Sequence, residues 1–140
     1  MIKILHTLFI FLFLTGVLQA KTKHYYKEGI DLYNSNKLED AKFKFEQDIV
    51  LNPKSELSYL YLSRIFRKQE KKNLEEQNLK TVMLLNPKNE EAIYNLAKLK
   101  LASSDYKKSR ELNDRLASVC SKFCSKNSEL KIEIENLSKK

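Results

Sequence analysis

The tetrapeptide Leu-Asn-Pro-Lys occurs twice, at residues 51–54 and again 34 residues later at 85–88. Proline lacks a backbone N–H and disfavours helix at the residue before it, so each copy ends one helix and frees the chain to begin another. The whole chain of 140 residues has only two prolines and two glycines, which leaves the intervening segments almost free of helix breakers. A short chain of this kind is predicted to be all-α and built from repeats.

Apolar residues follow the same interval. Between residues 22 and 121 each unit holds two amphipathic segments of about 13 residues, with apolar side chains at i and i+3 or i+4. Short polar turns join the two segments at 35–37, 70–72 and 103–104. We predict three helical hairpins, which occupy about residues 22–55, 56–89 and 90–121. A capping helix at about 127–138, begun by Asn127 or Ser128, should cover the last hairpin through Leu130, Ile134 and Leu137.

This pattern resembles that of the tetratricopeptide repeat (TPR) family over residues 22 to about 121. The matching residues are Tyr25, Gly29, Leu32, Ala41, Phe45 and Pro53 in the first unit, Tyr59, Leu62, Ser63, Phe66 and Pro87 in the second, and Ala97 in the third. The departures are polar residues at apolar, small or proline positions, namely Glu28, Asp48, Glu75, Asn113 and Ser121. The resemblance implies a right-handed α-solenoid of three TPR hairpins plus the C-terminal cap. It also implies a protein–protein interaction module.

The family register places a partner-binding groove on the first helix of each unit. Its predicted residues are Tyr26, Ile30, Tyr33, Leu60, Arg64, Arg67, Tyr94, Lys98 and Leu101. Aromatic surface flanked by cations suits an extended peptide with apolar side chains and acidic groups. The carboxylate clamp of chaperone-binding TPR domains needs Lys and Asn where this chain has Tyr26 and Ile30. It also needs Asn, Lys and Arg where the chain has Tyr61, Glu91 and Asn95, so binding of an EEVD-type tail is disfavoured.

The first twenty residues differ from the rest. Lys3 is followed by an apolar run at 8–14 and by Leu-Gln-Ala at 18–20, which is the layout of a secretory signal peptide cleaved after Ala20. The mature domain would then be residues 21–140, in the periplasm or cell envelope of a bacterium. The alternative is that residues 4–18 stay as a tether, although this stretch is shorter than a usual membrane span of about 20 residues.

Charge and residue types limit the chemistry. The formal charge of +8 favours anionic partners or surfaces, but no nucleic-acid motif accompanies it. After cleavage the chain would keep one histidine, His24, and one glycine, Gly29, too few for a catalytic triad, a His-based metal site or a phosphate-cradling loop. The adjacent carboxylates at 75–76 and 90–91 are interpreted as solvated or helix-start charges. The sequence therefore predicts no enzyme, no cofactor and no metal site.

Cys120 and Cys124 are the only cysteines. An even number in an exported protein favours a disulfide, although i and i+4 positions of an unbroken helix are too far apart to form one. By the repeat interval the pair spans the turn that carries proline in the earlier units, where a disulfide could fix the reversal into the cap.

The main hypothesis from the sequence is an interaction scaffold or assembly factor that binds a protein or peptide in the groove. Two alternatives remain. One is a redox or metal-handling accessory protein that uses Cys120 and Cys124. The other is a membrane-tethered binder whose lysines touch anionic lipid or glycan.

Overall fold

The computed structural model describes residues 25–139, and this part of the chain forms seven α-helices and no strand. The predicted signal peptide, its cleavage after Ala20 and His24 lie outside the described residues. The helices are α1 (Tyr25–Asn34), α2 (Leu38–Leu51), α3 (Glu56–Lys68), α4 (Lys72–Leu85), α5 (Glu90–Ala102), α6 (Tyr106–Val119) and α7 (Cys124–Leu137).

The helix boundaries keep the 34-residue interval. The second helices of the hairpins begin at 38, 72 and 106 and end at 51, 85 and 119, and α3, α5 and α7 begin at 56, 90 and 124. Each helix packs mainly on its neighbours in sequence, as α1 on α2, α2 on α3 and so on to α7. The predicted all-α solenoid of three hairpins and a cap is confirmed. None of the helices within residues 25–139 has the length and apolar character required to cross a bilayer.

The turn inside each hairpin has one residue with a left-handed backbone conformation, at the same position of the repeat. Asn36, Glu70 and Ser104 have φ values of 57°, 57° and 60°. In each turn the following residue donates its N–H to a carbonyl five residues back, as Lys37 does to Leu32 at 2.9 Å. This arrangement satisfies carbonyl groups that the end of the first helix would otherwise leave without a partner. The polar turns predicted from the sequence therefore have a defined helix-ending geometry.

The two helices of the first hairpin cross closely at Gly29. A Cβ atom built on Gly29 would lie 2.8 Å from Cε1 of Phe45, closer than carbon atoms can approach without a shift. Ser63 and Ala97, which follow at the repeat interval, are fully buried. The small residues at this register are therefore required by packing. Glycine here offsets its poor helix propensity of about 1 kcal/mol by admitting the Phe45 ring.

We expect Gly29→Ala to lower the free energy of unfolding by about 1–2 kcal/mol, because the overpacking penalty exceeds the gain in helix propensity. Phe45 has no room to move, since its ring is fully buried and stacks on Tyr61 with centroids 5.0 Å apart. Urea unfolding monitored by circular dichroism measures the change. The same substitution in a Phe45→Leu background should be better tolerated. A neutral or stabilising Gly29→Ala in the native background contradicts the prediction.

Three of the five polar departures from the family pattern, Asp48, Glu75 and Asn113, are buried and hydrogen-bonded. Asp48 accepts a hydrogen bond from Ser58 Oγ at 2.6 Å, which joins α2 to α3. Asn113 accepts one at its Oδ1 from Asn127 Nδ2 at 2.9 Å, which joins α6 to α7. The interpretation of Glu75 as a solvated charge is wrong, because Glu75 is only 4% exposed. Its burial is possible because an arginine from the preceding helix pairs with it.

The cap helix begins earlier than predicted. It starts at Cys124, 34 residues after Glu90, whereas Asn127 lies inside the helix and donates its amide to α6 instead of capping α7. The N–H groups of Lys122 and Phe123, just before the helix, are bound by the carboxylate of Glu90. A capping group from a distant part of the chain thus replaces the local one. Leu130 and Ile134 are buried, as the apolar stripe predicts.

Cys120 and Cys124 form a disulfide that closes the turn between α6 and α7, with Cα atoms 5.3 Å apart. Cys120 follows the end of α6 and has an extended backbone, which brings the two thiols closer than a continuous helix would.

Loss of this disulfide should lower the free energy of unfolding by about 2 kcal/mol, the value expected for so short a ring. The measurement is urea unfolding of the oxidised and reduced protein and of Cys120→Ser/Cys124→Ser. Reducing agent should leave the double variant unchanged, which controls for other effects of the reagent. Identical curves for oxidised and reduced native protein contradict the prediction.

Candidate partner-binding groove

The first helices of the hairpins present a cluster of aromatic and cationic side chains, here called the N-terminal cluster: Tyr33, Tyr61, Arg64 and Lys68. The rings of Tyr33 on α1 and Tyr61 on α3 meet edge to face with centroids 5.1 Å apart. The Arg64 guanidinium lies 4.4 Å from the Tyr61 ring centroid, and Lys68 Nζ lies 4.6 Å from that of Tyr33. Such contacts hold a cation beside an apolar face without neutralising its charge.

An ion pair connects this cluster to the next unit. Arg64 donates from Nε and Nη2 to the two oxygens of Glu91 on α5, at 2.7 and 2.6 Å. Both side chains are about a quarter exposed, so the pair is partly shielded from water. The paired geometry fixes the direction of the guanidinium as well as its position.

A second group, the C-terminal cluster, consists of Tyr94, Phe123 and Lys126. The rings of Tyr94 on α5 and Phe123 in the disulfide turn have centroids 5.7 Å apart. Lys126 Nζ lies 4.3 Å from the Phe123 centroid and 5.4 Å from that of Tyr94. Nearby, Lys98 Nζ contacts both oxygens of Glu133 on α7, at 2.8 and 2.7 Å. The described chain therefore carries aromatic–cation clusters at both ends of one row of helices.

Comparison with solved structures identifies the fold that places these first helices side by side. A scan of protein-family models and a search of curated proteins each found no match. Among solved structures, the type III secretion chaperone SycD of Yersinia enterocolitica, in complex with a peptide of the translocator YopD, superposes with a TM-score of 0.72. The two share 16% identity, and the alignment covers 83% of this chain and 92% of SycD.

The described chain has the TPR fold. The first TPR of Spaghetti (RPAP3), bound to the HSP90 peptide SRMEEVD, gives a TM-score of 0.72 at 12% identity over 81% of this chain and 90% of that one. The Sgt2 TPR domain of Aspergillus fumigatus gives 0.69 at 14% identity over 83% of this chain and 80% of that one.

In this TPR fold the nine predicted groove residues fall into three groups. Leu60 and Leu101 are only 6% and 5% exposed and belong to the core. Arg67 has a structural role, because its Nε donates a hydrogen bond to Glu75 at 2.7 Å and its Nη1 donates one to Asn95 at 3.1 Å. The remaining six are at least partly exposed on the first helices: Tyr26, Ile30, Tyr33, Arg64, Tyr94 and Lys98. Their partner-binding role stays a prediction.

Sequence reasoning did not assign four cluster members to the groove: Tyr61, Lys68, Phe123 and Lys126. Tyr61 and Lys68 each stand one position after a predicted groove residue, so a wider helical face would have included them. Phe123 and Lys126 lie in the turn and the cap, which were predicted mainly to cover the last hairpin. The repeat interval could have indicated that these two residues belong to the groove, because α7 begins where the first helix of a fourth unit would begin.

Glu90 holds the turn that presents Phe123. Its carboxylate accepts hydrogen bonds from Ser121 Oγ at 2.7 Å and from the N–H groups of Lys122 and Phe123 at 2.9 and 2.8 Å. The Ser121 hydroxyl, together with these backbone donors, lowers the pKa of Glu90 from its ordinary 4.5 to about 2. The C-terminal end of the candidate groove therefore depends on an ionised Glu90.

Acid should release this turn. Because the pKa of Glu90 is lower in the folded than in the unfolded state, its stabilising contribution is complete above about pH 4.5 and is lost as the pH falls towards 2. We expect the native protein to lose more thermal stability over this range than Glu90→Gln does. The pKa values of Glu39, Glu76 and Glu111 are also lowered, mainly by hydrogen bonds from lysines, but these groups titrate in both proteins. Parallel melting curves of the two proteins contradict the prediction.

No three side chains of His, Cys, Asp or Glu within residues 25–139 are grouped so that they could hold a metal ion. The groove offers aromatic surface with fixed cations, which are groups that can bind a partner.

Proposed function

We propose that this protein is an exported TPR module that holds an extended segment of a partner protein along its first helices. It would act as a scaffold or assembly factor in the cell envelope of a bacterium. The observation that carries the proposal is the pair of aromatic–cation clusters joined by the Arg64–Glu91 ion pair. Rings that are already fixed against their neighbours lose little side-chain entropy when a partner covers them.

The charges favour a partner with acidic groups. Lys68 and Lys126 lie over aromatic rings and are exposed, and neither forms a salt bridge within residues 25–139. An acidic side chain on the bound segment could pair with either lysine while its apolar neighbours cover the tyrosines. The solved structures of SycD and Spaghetti, which share the fold, each contain a bound peptide.

We do not propose that this chain binds the HSP90 peptide that is bound to Spaghetti. Tyr26, Ile30 and Tyr61 stand where a carboxylate clamp would have its lysine and two asparagines, and Glu91 is paired with Arg64. A peptide ending in EEVD should therefore bind this protein no better than its scrambled version in fluorescence anisotropy.

Export is supported by the N-terminal sequence and by the disulfide. The layout of residues 1–20 is that of a signal peptide, and a closed Cys120–Cys124 ring suits an oxidising compartment. N-terminal sequencing of protein from the cell envelope tests this part. A first residue of Lys21 supports it, and an intact Met1 overturns cleavage.

Site-specific photo-crosslinking tests the groove. A photoreactive phenylalanine analogue at Tyr33 or at Lys98 should yield a crosslinked partner in intact cells, and both positions should map to one continuous segment of that partner. The same analogue at Gln77, an exposed position on the second helix of unit two, is the matched control. Equal yields from Gln77 and the groove positions overturn the groove assignment.

A further inference from the structure

The turns between units form one edge of the solenoid, because α2, α4 and α6 end there and α3, α5 and α7 begin there. We call residues 50–55, 84–89 and 118–123 the turn edge. A lysine recurs in it at the repeat interval, as Lys54, Lys88 and Lys122. All three are exposed, and none forms a salt bridge within the part of the chain that the structure describes. Because the units stack in chain order, the lysines form a row along the edge with one lysine in each turn between units.

Apolar side chains stand beside the first two lysines. Val50 and Leu84, at the same place in consecutive units, are 77% and 80% exposed, and Leu51 is 69% exposed. Pro53 and Pro87 are exposed in the same turns. The third turn has Ser118 instead, so the apolar surface is confined to the first two units. Large aliphatic side chains that are this exposed and that recur at one repeat position indicate an interaction surface.

The carboxylates that follow these turns, at the starts of α3 and α5, already have hydrogen-bond or ion-pair partners. Glu56 accepts hydrogen bonds from the side-chain amides of Asn86 and Asn89 at 3.0 and 2.5 Å. Glu90 is occupied by Ser121 and the N–H groups that follow it. Glu91, at the start of the same helix, is paired with Arg64. The outward charge of the turns is therefore carried by the lysines.

We propose that the turn edge docks on an anionic lipid surface. Lysines would contact the headgroup phosphates while Val50, Leu51 and Leu84 enter the interface between headgroups and acyl chains. A second copy of the chain is a poorer occupant, because a two-fold contact through this edge would bring the two lysine rows together. The described chain also begins here, since Tyr25 lines a shallow recess with Gln47, Val50 and Leu51. The groove of the proposed function shares Phe123 with this edge but includes none of the three lysines and none of Val50, Leu51 and Leu84.

Co-sedimentation with vesicles tests the proposal. The protein, in the form in which cells accumulate it, is mixed with vesicles of phosphatidylcholine containing phosphatidylglycerol or with vesicles of phosphatidylcholine alone. We expect binding to the anionic vesicles that weakens with added salt. Lys54→Gln/Lys88→Gln/Lys122→Gln should reduce the partition coefficient at least about tenfold. Val50→Ser/Leu51→Ser/Leu84→Ser should also reduce it, because the apolar anchors are lost.

The matched control is Lys37→Gln/Lys72→Gln/Lys107→Gln, which removes the same charge from exposed positions near the opposite turns. It should lower binding much less than the turn-edge variant. Equal losses in the two lysine variants overturn the site, and equal binding to anionic and neutral vesicles overturns the proposed chemistry. A dimer that the turn-edge variant abolishes, without vesicle binding, assigns the edge to a second copy and also overturns the proposal. All substituted side chains are exposed, so circular dichroism should show unchanged folding.

Discussion

Phe45→Ala is expected to lower the free energy of unfolding by about 3–5 kcal/mol. Phe45 is fully buried, fills the space above Gly29 and stacks on Tyr61, so its removal leaves a cavity where α1, α2 and α3 meet. Small domains have a total stability of about 5–15 kcal/mol, and this loss is a large share of it. Urea unfolding followed by circular dichroism at 222 nm measures the change.

Phe43→Ala provides the matched control, because it removes the same side chain from the same helix at a position that is 56% exposed. Its effect should stay within about 0.5 kcal/mol. If the two variants unfold at the same urea concentration, the described packing of the first hairpin is wrong.

Arg67→Ala is expected to lower the free energy of unfolding by about 3–5 kcal/mol, more than Glu75→Ala does, although Arg67 is the more exposed partner. Their side chains are 44% and 5% exposed. Without the arginine, the Glu75 carboxylate is left buried without its cation, whereas without the glutamate Arg67 can turn to water. The order of the two effects therefore depends on which charge is stranded.

A double-mutant cycle with Arg67→Ala, Glu75→Ala and the double variant measures the coupling. The double variant should be more stable than Arg67→Ala alone, since it no longer buries a charge. Lys68→Ala, on the adjacent exposed residue, is the control and should have little effect on stability. A larger loss for Glu75→Ala than for Arg67→Ala contradicts the argument.

The helices of this protein could be predicted because local signals repeat. Proline in the Leu-Asn-Pro-Lys turns and apolar spacing within each unit gave the hairpins and their order, and the structure confirms the solenoid. The repeat interval indicates that the cap begins at residue 124, but the local capping residues favoured Asn127 or Ser128 instead. The first N–H groups of the cap are bound by Glu90, more than 30 residues earlier, and no local pattern indicates that contact.

The buried polar contacts could not be predicted from the sequence either. Glu75 occupies a small-residue position of the repeat, but only the position of Arg67 in three dimensions makes the burial of its charge possible. The assignment of Leu60 and Leu101 to the groove was wrong, because both side chains are buried between neighbouring helices. A helix packed on both sides has little free surface, and periodicity does not say how much of its circumference the neighbours cover.

The Tyr33–Tyr61 contact has a consequence for how tightly the protein holds its own first hairpin. The two rings come from α1 and α3, on opposite sides of the joint between units one and two. A partner that grips both rings would fasten the hairpin to the remainder of the stack, so part of its affinity would appear as protection of α1 and α2 from hydrogen exchange. Occupancy of the groove and the integrity of the N-terminal end are, in that sense, one equilibrium.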